Sequence, residues 1–212
     1  MEVKSTDKRR PLLLRHVMKL YDAKASFYDD LHGYEQKIKH SIVLHRIKNR
    51  LEKAVSYLDC GCGTGILLEE LRGALGRANR RLVGLDLSAG MLEAALNKVG
   101  CGDLHLVRGD SNNAPFKGSS FDLIFAFTLL DGEANGVDTL RELCRVCSEN
   151  GLIVASMLRP SRIASTFPEY AKESGLEIMD VIDFKGLNEV ILLLVKRGRS
   201  DPQHVGGGAC GS

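Results

Sequence analysis

A short apolar strand that runs into three closely spaced glycines, and from them directly into a helix, constrains this chain more than any other feature. VSYLD (55–59) passes into DCGCGTG (59–65), and from Ile66 the apolar positions 66, 67, 71 and 75 carry helical periodicity. Glycines let the backbone turn sharply and approach a ligand, while a helix that starts there presents its free N–H groups. The alternation then continues. RLVGLDL (81–87) predicts a second strand, and residues 89–98 a helix that Ser88 can cap. Residues 104–107 predict a third strand and 121–127 a fourth. Apolar residues at 137, 140, 143 and 146 mark one helical stripe, and 151–158 a fifth strand. Continuous apolar strands alternating with helices mean a parallel sheet covered on both faces.

A short helix near 165–173 leads to a strand at 176–184. The turn KGLN (185–188) then returns the chain along 189–196, so the last two strands form an antiparallel hairpin. Residues 11–53 precede the core and read as helical, with 34–53 placing Ile38, Ile42, His45 or Ile47, and Leu51 on one face. At 212 residues this is one domain. Residues 1–53 form a helical gate segment within it, 54–197 the core and 198–212 a glycine-rich, disordered tail.

In open α/β sheets, ligands sit beyond the carboxyl ends of the strands, where strand order reverses. Counted from Gly61, a dinucleotide fingerprint would need glycine where Ile66 stands, which disfavours a nicotinamide cofactor. Asp86 ends the second strand 25 residues after Gly61, where a carboxylate can accept bonds from both ribose hydroxyls. Asp110, at the end of the third, can meet the exocyclic amine of an adenine. Three successive strands, each with an acid at its carboxyl end, point to an adenosine ligand.

LDCGCGTG (58–65), GLDLS (84–88), VRGDSNNAPF (107–116) and FDLIFAFTLL (121–130) together resemble the class I S-adenosylmethionine-dependent methyltransferases. The likeness spans about residues 21–197 and is greatest to the quinone-biosynthesis-like group, where AKASFYDDLHGYEQ (23–36) is similar to the segment before the core. It implies a Rossmann-like, doubly wound, mostly parallel seven-stranded sheet, with S-adenosylmethionine as cofactor. It also implies roles. Asp59, Gly61, Gly63 and Gly65 would hold the methionine end, and Asp86 the ribose, with Leu87 and Met91 beside the adenine. Asp110 would take the adenine amine, with Ser111 adjacent. Tyr28 would close over the cofactor, and Phe127 and Thr128 would border the methyl group. Met91 reads equally well as a core residue.

Methyl transfer from a sulfonium needs alignment and a dry site more than an enzyme nucleophile. His32, Tyr34, Asp131 and Glu133 are the candidate substrate-side groups. The fourth strand runs into FTLLD (127–131), which lacks an Asn/Asp-Pro-Pro-aromatic clamp, and no cysteine lies at the substrate edge for cytosine methylation. The six cysteines read as free thiols, and no metal site is expected.

Charge leaves the acceptor open. Residues 1–53 hold 13 Lys/Arg against 7 Asp/Glu, and the rest 16 against 20. The basic segment is either a solvated helix face or an entry ramp for RNA, with Lys37, Lys39 and Arg46 as its test residues. A small-molecule acceptor is slightly favoured over RNA or protein, and an activating partner subunit is compatible with either. A non-catalytic binding module and an aminopropyl transferase are the rival classes. The first is at odds with the full set of acids, the second with the basic N-terminal segment. No apolar run reaches the roughly 18 residues of a membrane span. The polar start suits no signal peptide, so a cytoplasmic protein is expected.

Overall fold

The computed structural model describes residues 10–76, 80–100, 104–130, 136–159 and 167–198. Three helices come first: α1 (Arg10–Lys24), α2 (Tyr28–Arg46) and α3 (Lys48–Lys53). The core then alternates as β1 (Ser56–Cys60), α4 (Ile66–Leu75), β2 (Arg81–Asp86), α5 (Ala89–Val99), β3 (Leu104–Arg108) and β4 (Phe121–Ala126). It ends with α6 (Gly136–Val146), β5 (Cys147–Leu158), α7 (Phe167–Glu173), β6 (Leu176–Ile182) and β7 (Glu189–Lys196).

The seven strands form one sheet in the order β3-β2-β1-β4-β5-β7-β6, parallel except for β7, which runs against both β5 and β6. From β1 the chain winds outward to β2 and β3, then crosses back to β4 on the other side of β1. The reversal of direction therefore falls between β1 and β4. Every residue of β1 is buried, and its side chains alternate between two cores. Leu58 packs with Val83, Ile124, Leu140 and Phe167 on one face. Tyr57 packs with Val43, Ile47, Leu51, Leu67 and Phe125 on the other. Each fully buried aliphatic or aromatic side chain contributes roughly 1.5–3 kcal/mol, and α2 and α3 belong to that second core.

The element order expected from the sequence is present, with four differences. β5 begins at Cys147, four residues before the predicted 151, and β6 stops at Ile182 where 184 was expected. The helix predicted over 34–53 is broken at Ile47, whose amide still bonds back to Val43 O while its own backbone has left helical geometry. Its buried stripe is also rotated by one residue from Ile38 and Ile42, to Lys39, His40 and Val43. The predicted tail falls, apart from Gly198, outside the described residues. No helix among the described residues is long and apolar enough to cross a membrane.

Candidate functional site

The carboxyl ends of β1 and β4 part where the winding reverses, and an open cleft of ≈ 370 Å³ lies there. Tyr28, His40, Asp59, Gly61, Thr64 and Phe127 line it. Its floor is the loop after β1. Gly61, Gly63 and Gly65 all stand in the left-handed region, at φ of 80°, 51° and 77°. The amides of Gly61 and Cys62 both donate to Leu85 O, at 2.7 and 3.0 Å, which folds the loop back over β2. A Cβ on Gly65 would lie 3.0 Å from Ala95 Cβ and 3.3 Å from its backbone, so α5 can approach only a glycine there. Gly65→Ala is therefore expected to cost about 1–3 kcal/mol, from backbone strain and overpacking together. A melting temperature within a degree of wild type would refute this.

Two acids flank the loop. Asp59, at the cleft wall, is 4 % exposed, and no hydrogen bond to its carboxyl is found among the described residues. Burial pushes it up to about 8, the nearby Asp86 adds to the rise and Lys39 opposes it. Asp86 uses one oxygen to accept from Gly63 N (2.9 Å) and the other from Ser88 N (2.8 Å). It thereby ties the glycine loop to the start of α5. Burial raises its carboxyl, and those backbone amides oppose the rise.

The N-terminal helices are pinned over this floor by contacts the sequence did not reveal. Asp29 accepts from Thr64 Oγ1 in the glycine loop and from Lys98 on α5. Asp22 accepts from Ser88 Oγ and Gly90 N, and those hydrogen bonds hold its carboxyl below the usual range. Tyr28 is thus fixed at the cleft, and burial pushes its phenol up to about 12, so it stays a neutral donor. Asp110 is engaged as well: Arg10 Nη2 stands 2.6 Å from one oxygen, and Asn112 N donates to the other at 3.0 Å.

Beyond the end of β4 lies a buried polar cluster. Lys39 Nζ donates to Glu189 Oε1 (2.7 Å) and Thr128 Oγ1 (3.2 Å) and stands 5.0 Å from the centre of the Phe127 ring. Thr128 Oγ1 donates to Glu189 Oε1 at 3.0 Å, and Ser156 Oγ donates to Oε2. Thr128 itself has φ of 53°, and its amide donates to Ser156 Oγ at 2.9 Å. Next to Lys39, the His40 imidazole bonds through Nδ1 to Glu70 Oε2 at 2.7 Å. Its ring centre lies 5.0 Å from that of Phe127.

The other site residues expected from sequence separate into groups. Leu87 and Ser111 are half-buried at the ends of β2 and β3, whereas Met91 is 1 % exposed and packed inside. Of the substrate-side candidates, Tyr34 is 82 % exposed and directed to solvent, which removes it from the cleft. His32 lies against Tyr28, ring centres 4.9 Å apart, outside the cleft lining. Asp131 and Glu133 lie outside the described residues. The basic ramp needs correction too. Lys39 is buried in an ion pair, and Arg46 bonds Asp180 through Nε (2.9 Å) and Nη2 (2.6 Å). Of the three test residues, Lys37 alone is exposed without a bonded acid among the described residues. The cysteines Cys60, Cys62 and Cys147 are buried free thiols, all pushed up by burial.

Residues 58–155 match the methyltransferase domain family. The chain is 32 % identical over 180 residues to the malonyl-[acyl-carrier protein] O-methyltransferase of Legionella pneumophila, covering 80 % of this chain and 60 % of that protein. These matches support a class I S-adenosylmethionine-dependent methyltransferase.

A demethylmenaquinone methyltransferase of Staphylococcus haemolyticus is 32 % identical over 133 residues, 61 % of this chain and 55 % of that one. The methyltransferase fold is shared with a solved S-adenosylmethionine-dependent methyltransferase of Clostridium acetobutylicum (TM-score 0.67, 17 % identity, 84 % and 100 % covered). It is shared too with a chain of the Haloferax volcanii complex that contains the Trm112 methyltransferase activator (TM-score 0.62, 18 % identity, 84 % and 98 % covered). The chain spans about half to three-fifths of the length of the first curated relatives it matches. The cofactor these matches imply is S-adenosylmethionine, and the residues present fit it. A buried cleft-lining carboxyl, with no donor to it found among the described residues, suits the cofactor's ammonium, and a loop of left-handed glycines lets the backbone come close.

Proposed function

We propose that the chain transfers a methyl group from S-adenosylmethionine to a small-molecule acceptor. The observation that carries the reading is the placement of Asp59, Asp86 and Asp110 at the carboxyl ends of three successive parallel strands, around one glycine loop at the reversal of strand order. Asp59 would pair with the ammonium, and the backbone of Gly61, Gly63 and Gly65 would receive the rest of the methionine end. Asp86 would take the ribose hydroxyls beside Leu87, and Asp110 and Ser111 the adenine edge. The bound cofactor would supply the methyl group as a sulfonium with a good leaving group. Tyr28 and Phe127 would exclude water and hold the acceptor in line.

Two findings support the small-molecule acceptor. Of the three test residues of the basic ramp, Lys39 and Arg46 are engaged in internal pairs. Relatives of the chain are named for demethylmenaquinone and for a dTDP-linked amino sugar. Calorimetry with S-adenosylhomocysteine tests the cofactor site, and methyl-labelling of a cell extract split into small-molecule, RNA and protein fractions tests the acceptor. Label in the small-molecule fraction is expected. Label confined to RNA or protein would overturn the acceptor, and turnover that needs an added protein fraction would bring in the activating subunit.

Asp86→Ala is expected to weaken S-adenosylhomocysteine binding by more than about tenfold, since charge-assisted bonds contribute roughly 1.5–3 kcal/mol each. The melting temperature should fall modestly as well, because Gly63 N and Ser88 N lose their acceptor. Unchanged affinity would remove Asp86 from the ribose.

A further inference from the structure

We propose that His40 and Glu70 form a general-base dyad that takes the proton from the methyl acceptor, so that the acceptor atom is one that still carries hydrogen, an O–H or N–H. The inference deepens the methyltransferase reading and rests on it.

The argument is geometric first. His40 comes from α2 and Glu70 from α4, and their side chains meet at 2.7 Å through Nδ1. With Nδ1–H donated to a carboxylate, a neutral imidazole carries its lone pair on Nε2. The ring lines the cleft beside Asp59 and Phe127, and no hydrogen bond to Nε2 is found among the described residues. A base oriented by an acid, on a ring that lines a cleft, is the arrangement that proton transfer requires.

The charges facing the ring come from three elements: Glu70 on α4, Lys39 on α2 itself and Glu189 on β7. Burial holds the imidazole below its usual range, Glu70 opposes that and Lys39 adds to it. The lone pair is therefore free at neutral pH. The buried Lys39–Glu189 pair is spent on itself, Thr128 and Ser156, and Tyr28 is held neutral, so neither competes for the role.

In the transfer step the acceptor's X–H bond breaks and its proton passes to Nε2. The acceptor atom forms its new bond to the methyl carbon, and the electron pair of the carbon–sulfur bond returns to sulfur. The imidazolium is stabilised by Glu70 until it releases its proton to water. Charge and atoms balance with no further reactant.

The test uses the whole protein in three measurements. Nitrogen NMR of the ligand-free protein should show the His40 tautomer protonated at Nδ1, with its pKa falling further in Glu70→Gln. A tautomer protonated at Nε2, or a pKa indifferent to Glu70, would overturn the dyad even where no transfer is seen. His40→Gln should bind S-adenosylhomocysteine within about threefold of wild type yet label the small-molecule extract at least about 100-fold more slowly. Equal labelling, or a matching loss of S-adenosylhomocysteine affinity, would also overturn it. The acid limb of the labelling rate should move to lower pH in Glu70→Gln, which a purely structural His40 would not produce. Failure of wild type to bind S-adenosylhomocysteine would instead sink the methyltransferase reading and leave the NMR result to judge the dyad.

Discussion

Lys39→Met should cost about 3–5 kcal/mol of folding stability, the usual penalty for stranding one partner of a buried ion pair. The side chains of Lys39 and Glu189 are 1 % and 5 % exposed, so neither charge has water to turn to. With Lys39 gone, Glu189 would remain buried with the Thr128 and Ser156 hydroxyls as its donors among the described residues. A folded-state adjustment that neutralises the carboxyl would recover part of the loss. Urea denaturation of Lys39→Met, Glu189→Gln and the double variant measures the coupling, and the double variant should be clearly less destabilised than the two single losses added together. The exposed neighbour provides the contrast: Lys37→Glu is expected to stay within about 0.5 kcal/mol. Should Lys39→Met unfold at the wild-type urea midpoint, the pair carries no stability. The same variant reports on the site, because Thr128 keeps its left-handed backbone while Lys39, Ser156 and Glu189 hold it.

Asp59→Asn should stabilise the ligand-free protein while weakening its cofactor binding by more than about tenfold, as expected when a charge-assisted pair is lost. The folded carboxyl, pushed up to about 8 by burial, holds its proton in a range where the unfolded one has lost it. A carboxyl raised on folding costs stability progressively as pH climbs from the unfolded value of 3.8 to about 8, and nothing more beyond. The asparagine variant escapes that cost, so its advantage over wild type should be absent near pH 4 and full at pH 8. Binding runs the other way. Pairing with an ammonium needs the carboxylate, so wild-type affinity for S-adenosylhomocysteine should rise with pH by up to about tenfold per unit below 8, with one proton released. Calorimetry in buffers of different ionisation enthalpy reads that proton directly. Affinity that is flat from pH 6 to 8 in wild type, or equal in Asp59→Asn, would remove Asp59 from the ammonium.

The sheet and the glycine loop at the carboxyl end of β1 were legible because they rest on local signals. Strands buried on both faces need unbroken apolar runs, and the turn after β1 needs glycine at its left-handed positions. The buried polar cluster beyond β4 was not legible. Glu70 and Glu189 sit in an apolar helix and strand, where each reads as an ordinary surface acid, and Lys39 and His40 fall within a run of basic residues that reads as a wetted face. The one available hint was spacing: 40, 43, 47 and 51 form a helical stripe as good as 38, 42 and 51, but it required burying a histidine.

The sequence by itself therefore determined the alternation of elements, the glycine loop and the acids that close β1, β2 and β3, since each depends on residues within a few positions of one another. Only the tertiary structure decided which face of α2 turns inward. Partners 150 residues apart, Lys39 and Glu189, and 30 apart, His40 and Glu70, supply the opposite charge and the hydrogen bond that offset desolvation. No local pattern encodes a pairing that forms when separate elements meet at the end of the sheet.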